Sequence, residues 1–198
     1  MPRVSKQQSD RNRVAITEAS SRLFRERGLD GVSVADLMAA AGLTHGGFYG
    51  HFESKDALAA AACARAFAVS ADRWKQRVAE APDMNAARAA IIDNFLSSKS
   101  RSAPGQACPT ATLAVDVARQ PAGTPIRAAF ADGLEDLLGI LQALQGGGGG
   151  ADARHDALTD LATLVGAQIL ARATSQTGQS EEFLSAARAR LHGAQADR

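Results

Sequence analysis

Residues 42–58 read GLTHGGFYGHFESKDAL, and Gly46, Gly47 and Gly50 fall inside one short run with Phe48, Tyr49, His51 and Phe52 interleaved or adjacent. Glycine costs roughly 1 kcal/mol against alanine within a helix. The flanks are nonetheless helical in character, because Thr44 and Ser54 stand at N-cap positions and Phe48 and Phe52 are spaced to share one face. A glycine run between such signals implies a close approach to the backbone.

Upstream, Ile16, Ala19, Leu23 and Phe24 share a helical face and Gly28 follows, which predicts a first helix over about Asp10 to Arg27. Ser33, with Asp36 three positions on, predicts an N-cap for a short helix carrying Val34, Leu37, Met38 and Ala41 and ending at Gly42. Thr44 then caps another helix through Phe52. Ser54 caps a fourth, with Asp56 beside its positive N-terminal dipole, and the stripe Leu58, Ala62, Phe67, Ala71, Trp74, Val78 carries it towards Pro82.

The helical period continues downstream. Asp83 caps a helix with Ala87, Ile91 and Phe95; KSRSAPGQAC reads as a loop; Pro109 opens a helix to Arg119; Pro125 opens another with Phe130, Leu134, Leu137, Leu138 and Leu141. QGGGGGA at 145–151 reads as a tether, and a last helical pair follows. With no alternating strand pattern, the expected fold class is all-α.

Composition sets outer bounds. At 198 residues, 45% hydrophobic and 22% charged, with a mean hydropathy of −0.14, the chain can bury a sizeable core. No run approaches the ~20 apolar residues that cross a bilayer, and no apolar stretch follows the N-terminal charges, so no membrane partner and a cytoplasmic location are expected. The two cysteines, Cys63 and Cys108, lack metal-ligand spacing, and a His45–His51 metal pair has no third ligand; no metal or cofactor is expected. No nucleophile elbow, phosphate loop or paired carboxylate appears, so an enzyme is not expected. The net charge of +1 conceals a local basic excess: Arg3, Lys6, Arg11, Arg13, Arg22, Arg25 and Arg27 against Asp10, Glu18 and Glu26. That excess suits phosphate, and a solvated tail looks the same.

Helix, short helix, glycine turn and second short helix is the arrangement of a helix-turn-helix, whose last helix lies in the DNA major groove. GLDGVSVADLMAAAGLTHGGFYGHFESKDAL, preceded by ITEASSRLFRERG, resembles the DNA-binding region of the TetR family of transcriptional regulators. The resemblance covers about the first third of the chain. It implies an N-terminal arm and three-helix DNA-binding domain over 1–53 and a helical regulatory and dimerisation domain over 54–198.

The resemblance also implies roles. His45, Gly46 and Gly47 open the recognition helix, and Tyr49, His51 and Lys55 face phosphates, as suits a phenol, an imidazole and an ammonium near helix ends. Ser33 and Thr44 add hydroxyl or amide contacts. Bland alternatives stand beside these: Tyr49 half-buried, Thr44 a cap only, Lys55 a solvated lysine. Gly50 stands where relatives often carry a base-contacting side chain, and Gly47 replaces a frequent hydroxyl, so base reading falls chiefly to His45, with Arg3 and Lys6 as arm residues in the minor groove.

For the regulatory half, the implied partners are a double-stranded operator, a second copy of the chain and a small-molecule effector. The face Leu158, Leu161, Val165, Ile169 with Phe183, Leu184 and Leu191 is the expected dimer surface or, alternatively, intramolecular core. Phe67, Trp74, Phe95, Leu113 and Phe130 are expected pocket walls or plain packing. Cys108 precedes Pro109 and a helix start, where a thiolate gains from the helix dipole and a lowered pKa. Its place is similar to that of the sensor cysteine in oxidant-responsive relatives, with Ala107 in place of glycine; a small pocket-lining cysteine is the alternative. Cys63 is expected to be packing. The function expected is a dimeric repressor released from a palindromic operator by an effector or by cysteine modification; a helical interaction protein without operator binding is the alternative.

Overall fold

The structure, a computed structural model, describes residues 6–145 and 150–193. Arg3 of the arm and residues 146–149 of the tether lie outside them. The described residues form nine α-helices and no strand: α1 Lys6–Arg27, α2 Val34–Ala40, α3 Lys55–Glu80, α4 Met84–Phe95, α5 Ser98–Ser102, α6 Thr110–Arg119, α7 Pro125–Ala143, α8 Ala151–Ala173 and α9 Gln179–Gly193.

Local chemistry sets most boundaries. Gly28 and Gly42 adopt left-handed φ of 77° and 73° at the ends of α1 and the α2 segment. Ser33 and Asp36 form a reciprocal capping box: the Asp36 amide donates to Ser33 Oγ at 3.2 Å, and the Ser33 amide donates to Asp36 Oδ2 at 2.9 Å. The Ser33 hydroxyl, which also donates to that carboxylate, and then the Ser33 amide hold the Asp36 carboxyl below its usual value of 3.8. Ser54 and Asp83 accept amide hydrogen bonds from Ala57 and Ala86, capping α3 and α4.

Two expectations fail locally. The segment after Thr44 is not an α-helix through Phe52 but a 3₁₀ turn over His45–Gly50, and Thr44 makes no side-chain cap bond. Three glycines in six residues remove too much helix propensity, and so short a segment settles into the tighter geometry. KSRSAPGQAC is not a plain loop either. Ser97 caps the five-residue α5, and Pro104–Gln106 make a second 3₁₀ turn.

One continuous apolar core links the N-terminal helices to the rest, from Ile16, Leu37 and Phe48 through Leu58 and Phe67 to Leu137, Leu164 and Leu191. The long α3 carries it, packing on α1 at one end and on α7 along its length. The α3–α7 approach depends on Gly133, where any Cβ would overlap the Phe67 ring. Cys63 is buried in α3, and burial pushes its thiol up to about 12. No described helix is long and apolar enough to cross a membrane.

Candidate nucleic-acid interface and regulatory cavity

The 3₁₀ turn is anchored from beneath. Phe48 and Phe52 are buried with ring centroids 6.2 Å apart, and the Arg13 guanidinium lies 4.2 Å over the Phe52 ring while donating to the His51 carbonyl. This pins the end of the turn to α1. His45, Gly46, Gly47, Tyr49 and Gly50 remain on the outside. Tyr49 is 74% exposed, with only its ring edge against Phe48, so it is no half-buried core residue. Thr44 is also exposed, while His51 and Lys55 are intermediate.

The chain itself gives no reason for the glycines. None of the three has a positive φ, a Cβ at Gly46 or Gly50 meets nothing within 4 Å, and one at Gly47 makes ordinary contact with Met38. Side chains would therefore fit in the free protein.

Other sequence-named groups are less available. The Ser33 hydroxyl donates to Asp36 Oδ2 at 2.6 Å, so its proton is committed to the cap. Of the N-terminal cations, Arg13 is held as above, Arg22 pairs with Glu26 at 3.1 Å, and Arg25 turns inward. Charge counting alone overstates the basic surface.

Trp74, Phe95 and Cys108 come together around a cavity of about 30 Å³, with Ser70, Gln168 and Arg172. Phe67, Phe130 and Leu113 do not line it: Phe67 and Phe130 pack edge to face at 5.1 Å beside Gly133, and Leu113 is buried core. An adjoining recess of about 250 Å³ shares Arg73, Asn94, Ser100 and Gln106 with the cavity and adds Arg77, Lys99 and Ala103.

Cys108 departs from expectation in its acidity. Burial pushes the thiol pKa up from 9.0, outweighing the hydrogen bond donated by the Thr110 hydroxyl at 3.0 Å, a bond from Ser70 and the charge of Arg25. Proximity to the start of α6 does not offset the loss of solvation. The group is a thiol near neutral pH, not a thiolate.

The expected α8–α9 face divides. Leu161, Leu184 and Leu191 are buried within the chain and thus core, whereas Leu158 is 45% exposed and Val165, Ile169 and Phe183 are only partly covered.

The sequence profile described as bacterial regulatory proteins, tetR family, matches residues 16–62, the segment that builds the second half of α1, α2, the 3₁₀ turn and the start of α3. Residues 16–62 thus carry a segment similar to the tetR family. It is 48% identical over 42 residues to the HTH-type transcriptional repressor DhaR of Mycobacterium sp. (strain GP1), and 36% identical over 58 residues to the HTH-type transcriptional regulator AcrR of Shigella flexneri. These matches cover 21% and 29% of the chain, and 21% and 27% of those relatives. The fold extends much further. A TetR-family transcriptional regulator from Cytophaga hutchinsonii superimposes with a TM-score of 0.77 over 97% of this chain and 98% of its own, at 22% identity.

Sequence reasoning missed the polar half of the cavity. Gln168 is 1% exposed and its amide nitrogen and oxygen find no partner among the described residues. Arg172 donates to the carbonyls of Ala111 at 2.6 Å and Ser100 at 2.9 Å, stapling the cavity wall. Arg25 Nη1 donates to the Ala107 carbonyl at 2.8 Å, and the Leu29 amide donates to Asp116 Oδ2 at 3.0 Å, tying α1 and its C-terminal turn to that wall and to α6. No local pattern marks these residues, because each partner lies tens of positions away.

Proposed function

We propose that the chain is a dimeric repressor that binds a palindromic operator through its 3₁₀ turn and is released by a small-molecule effector. The carrying observation is that Gly46, Gly47 and Gly50 have open space and ordinary backbone angles in the free protein, so close approach of DNA is what selects them. His45 reads base edges. Gly46 and Gly47 admit the phosphate backbone, Tyr49, His51 and Lys55 donate to phosphate oxygens, and Thr44 and Ser33 offer contacts from the helix starts. Lys6, at the start of α1, lies on the arm side of the site.

The working division is a DNA-reading part over 1–53 and a regulatory part over 54–198, with α3 belonging structurally to both. The outward face of α8 at Leu158, Val165 and Ile169, with Phe183 of α9, is where a second copy packs. Pairing two short readers on one palindrome multiplies their affinity.

Of the two release routes, binding of an effector is favoured over modification of Cys108, because burial keeps the sulfur protonated and a thiol is a poor nucleophile. The recess of about 250 Å³ beside Arg73, with the small cavity at Trp74, Phe95 and Cys108 behind it, is the effector site. An occupant there would bias the subunit separation that fits successive major grooves.

Fluorescence anisotropy against DNA upstream of the chain's own gene, at two salt concentrations with excess random competitor, tests the reading. Tight binding that survives competitor and weakens with salt is expected. Binding no better than to random DNA, there and in a genomic selection, would leave a helical interaction protein instead.

A further inference from the structure

The recess beside Arg73 is charged with one sign only. Arg73 and Arg77, one turn apart on α3, line it with Lys99 of α5, and no aspartate or glutamate does. Among the described residues, none of these three cations makes an ion pair with a carboxylate. Acids close by in sequence are turned elsewhere. Glu80 accepts from Gln76 at 2.8 Å, and Asp93 holds His192 at 3.0 Å and Arg188 at 3.3 Å. Like charges four residues apart on a helix repel, and here no carboxylate of the described chain answers them. A fourth cation stands close behind: after burial, the charge of Arg73 is the next cause that lowers the Arg25 pKa, to about 10.

The two guanidiniums are also held in place. Arg73 Nη1 donates to the Gln106 carbonyl at 2.8 Å, and Arg77 Nη1 donates to the Arg73 carbonyl at 2.9 Å. One nitrogen of each is thus spent on positioning, and the other donors are left for a guest. The rest of the lining is neutral and polar, with the side-chain amides of Asn94 and Gln106, and Ala103 is the one apolar residue in it. At about 250 Å³ the recess admits a group of several heavy atoms. The cavity behind it, at about 30 Å³, has room for water and nothing larger, so the guest ends at Arg73.

We infer that the recess binds a phosphoryl group, borne as a phosphate ester or a pyrophosphate. Arg73 and Arg77 donate to its oxygens, Lys99 adds a point charge, and the Asn94 and Gln106 amides complete the shell. A multiply charged anion answers three cations together, where a single carboxylate leaves two of them unmatched. Guanidinium forks fit phosphate oxygens, and a cleft lined by one sign of charge concentrates the opposite ion. The assignment deepens the effector reading of the same recess and rests on it for the regulatory consequence; the binding chemistry stands on the lining residues.

Isothermal titration calorimetry of inorganic pyrophosphate into the full chain, at constant ionic strength and with acetate as the monoanion control, tests the site. We expect saturable binding of pyrophosphate, with acetate weaker by about tenfold or more, as loss of one charge-assisted pair implies. Arg77→Gln and Lys99→Gln, both outside the apolar core, should each weaken pyrophosphate by about tenfold. Lys75→Gln, an exposed lysine on the same helix that does not line the recess, should leave it unchanged, and so should Lys55→Gln on the proposed operator face. Equal binding of acetate, absence of saturable binding by pyrophosphate, or a loss in Lys75→Gln or Lys55→Gln as large as in Arg77→Gln would overturn the assignment. The expected pattern with operator anisotropy unchanged by pyrophosphate would support the phosphoryl site and refute release by its occupant. No pyrophosphate binding, beside operator release by an uncharged molecule, would overturn the phosphoryl site and leave the effector reading standing.

Discussion

The Arg25 guanidinium donates to the Ala107 carbonyl at 2.8 Å, one residue before Cys108, so α1 is bonded directly to the wall of the cavity beside Trp74 and Phe95. The same side chain donates from Nε to the Ser21 carbonyl at 2.9 Å, which fixes it along its own helix. Burial, followed by the nearby Arg73, lowers the Arg25 pKa to about 10, which still leaves it charged at neutral pH. A shift of the Ala107 segment is therefore felt at α1 through one short bond.

Arg25→Gln should lower stability by about 1.5–3 kcal/mol, the range for hydrogen bonds made by a charged donor. Unliganded operator affinity should be retained while effector-driven release weakens. Denaturant midpoints and anisotropy with and without effector check both parts; full release from a folded variant would show that coupling runs elsewhere.

Gly46→Ala should separate folding from function. With nothing within 4 Å of the new methyl, thermal stability should hold or rise by up to about 1 kcal/mol. Operator affinity should fall on the order of tenfold or more. A melting curve beside an anisotropy titration reads both, and undiminished affinity would remove the close-approach account of the glycine run.

Gly133→Ala should act in the opposite way. Its methyl collides with the Phe67 ring at the α3–α7 contact, and such overpacking costs about 1–3 kcal/mol. Calorimetry should show a lowered Tm, with partial recovery in Gly133→Ala combined with Phe67→Leu.

Arg88 is 2% exposed and places Nε and Nη2 on Asp160 Oδ2 at 3.0 and 2.7 Å, while Nη1 reaches the Leu191 carbonyl at 2.9 Å. Gln145 donates to the same carboxylate oxygen at 2.8 Å. Arg88→Met alone should cost about 3–5 kcal/mol by stranding Asp160, whereas Arg88→Met with Asp160→Leu should recover most of it. Urea unfolding of both variants measures the difference.

Cys108 should alkylate slowly with iodoacetamide at neutral pH, and its rate should still be climbing beyond pH 9.0, where an ordinary thiol is already half ionised and begins to level off. The folded state disfavours the thiolate, so stability is fully present below pH 9.0 and is lost as pH rises through the raised native value. Stability against pH for the chain and for Cys108→Ala should diverge on the alkaline side only. Fast labelling at neutral pH would restore the sensing route.

What the sequence determined by itself was whatever depends on near neighbours. Gly28 and Gly42 end helices because left-handed backbone needs glycine; Ser33, Ser54 and Asp83 start them because an oxygen reaches an amide three residues on; and the helical spacing of Phe48 and Phe52 puts both in the core. The helix-turn-helix and the all-α class follow from those short-range rules.

Only the tertiary structure decided which apolar residues face inward and which polar groups meet. Leu161, Leu184 and Leu191 show the same helical periodicity as a dimer face would, and packing alone makes them core. Cys108 looked activated from its helix position, yet the elements that partly cover it raise its thiol pKa by desolvation, which helix position alone does not reveal. The meeting of Gln168, Arg73 and Trp74, and of Arg88 with Asp160 across 72 positions, is a matter of distance in space, which spacing along a chain does not encode.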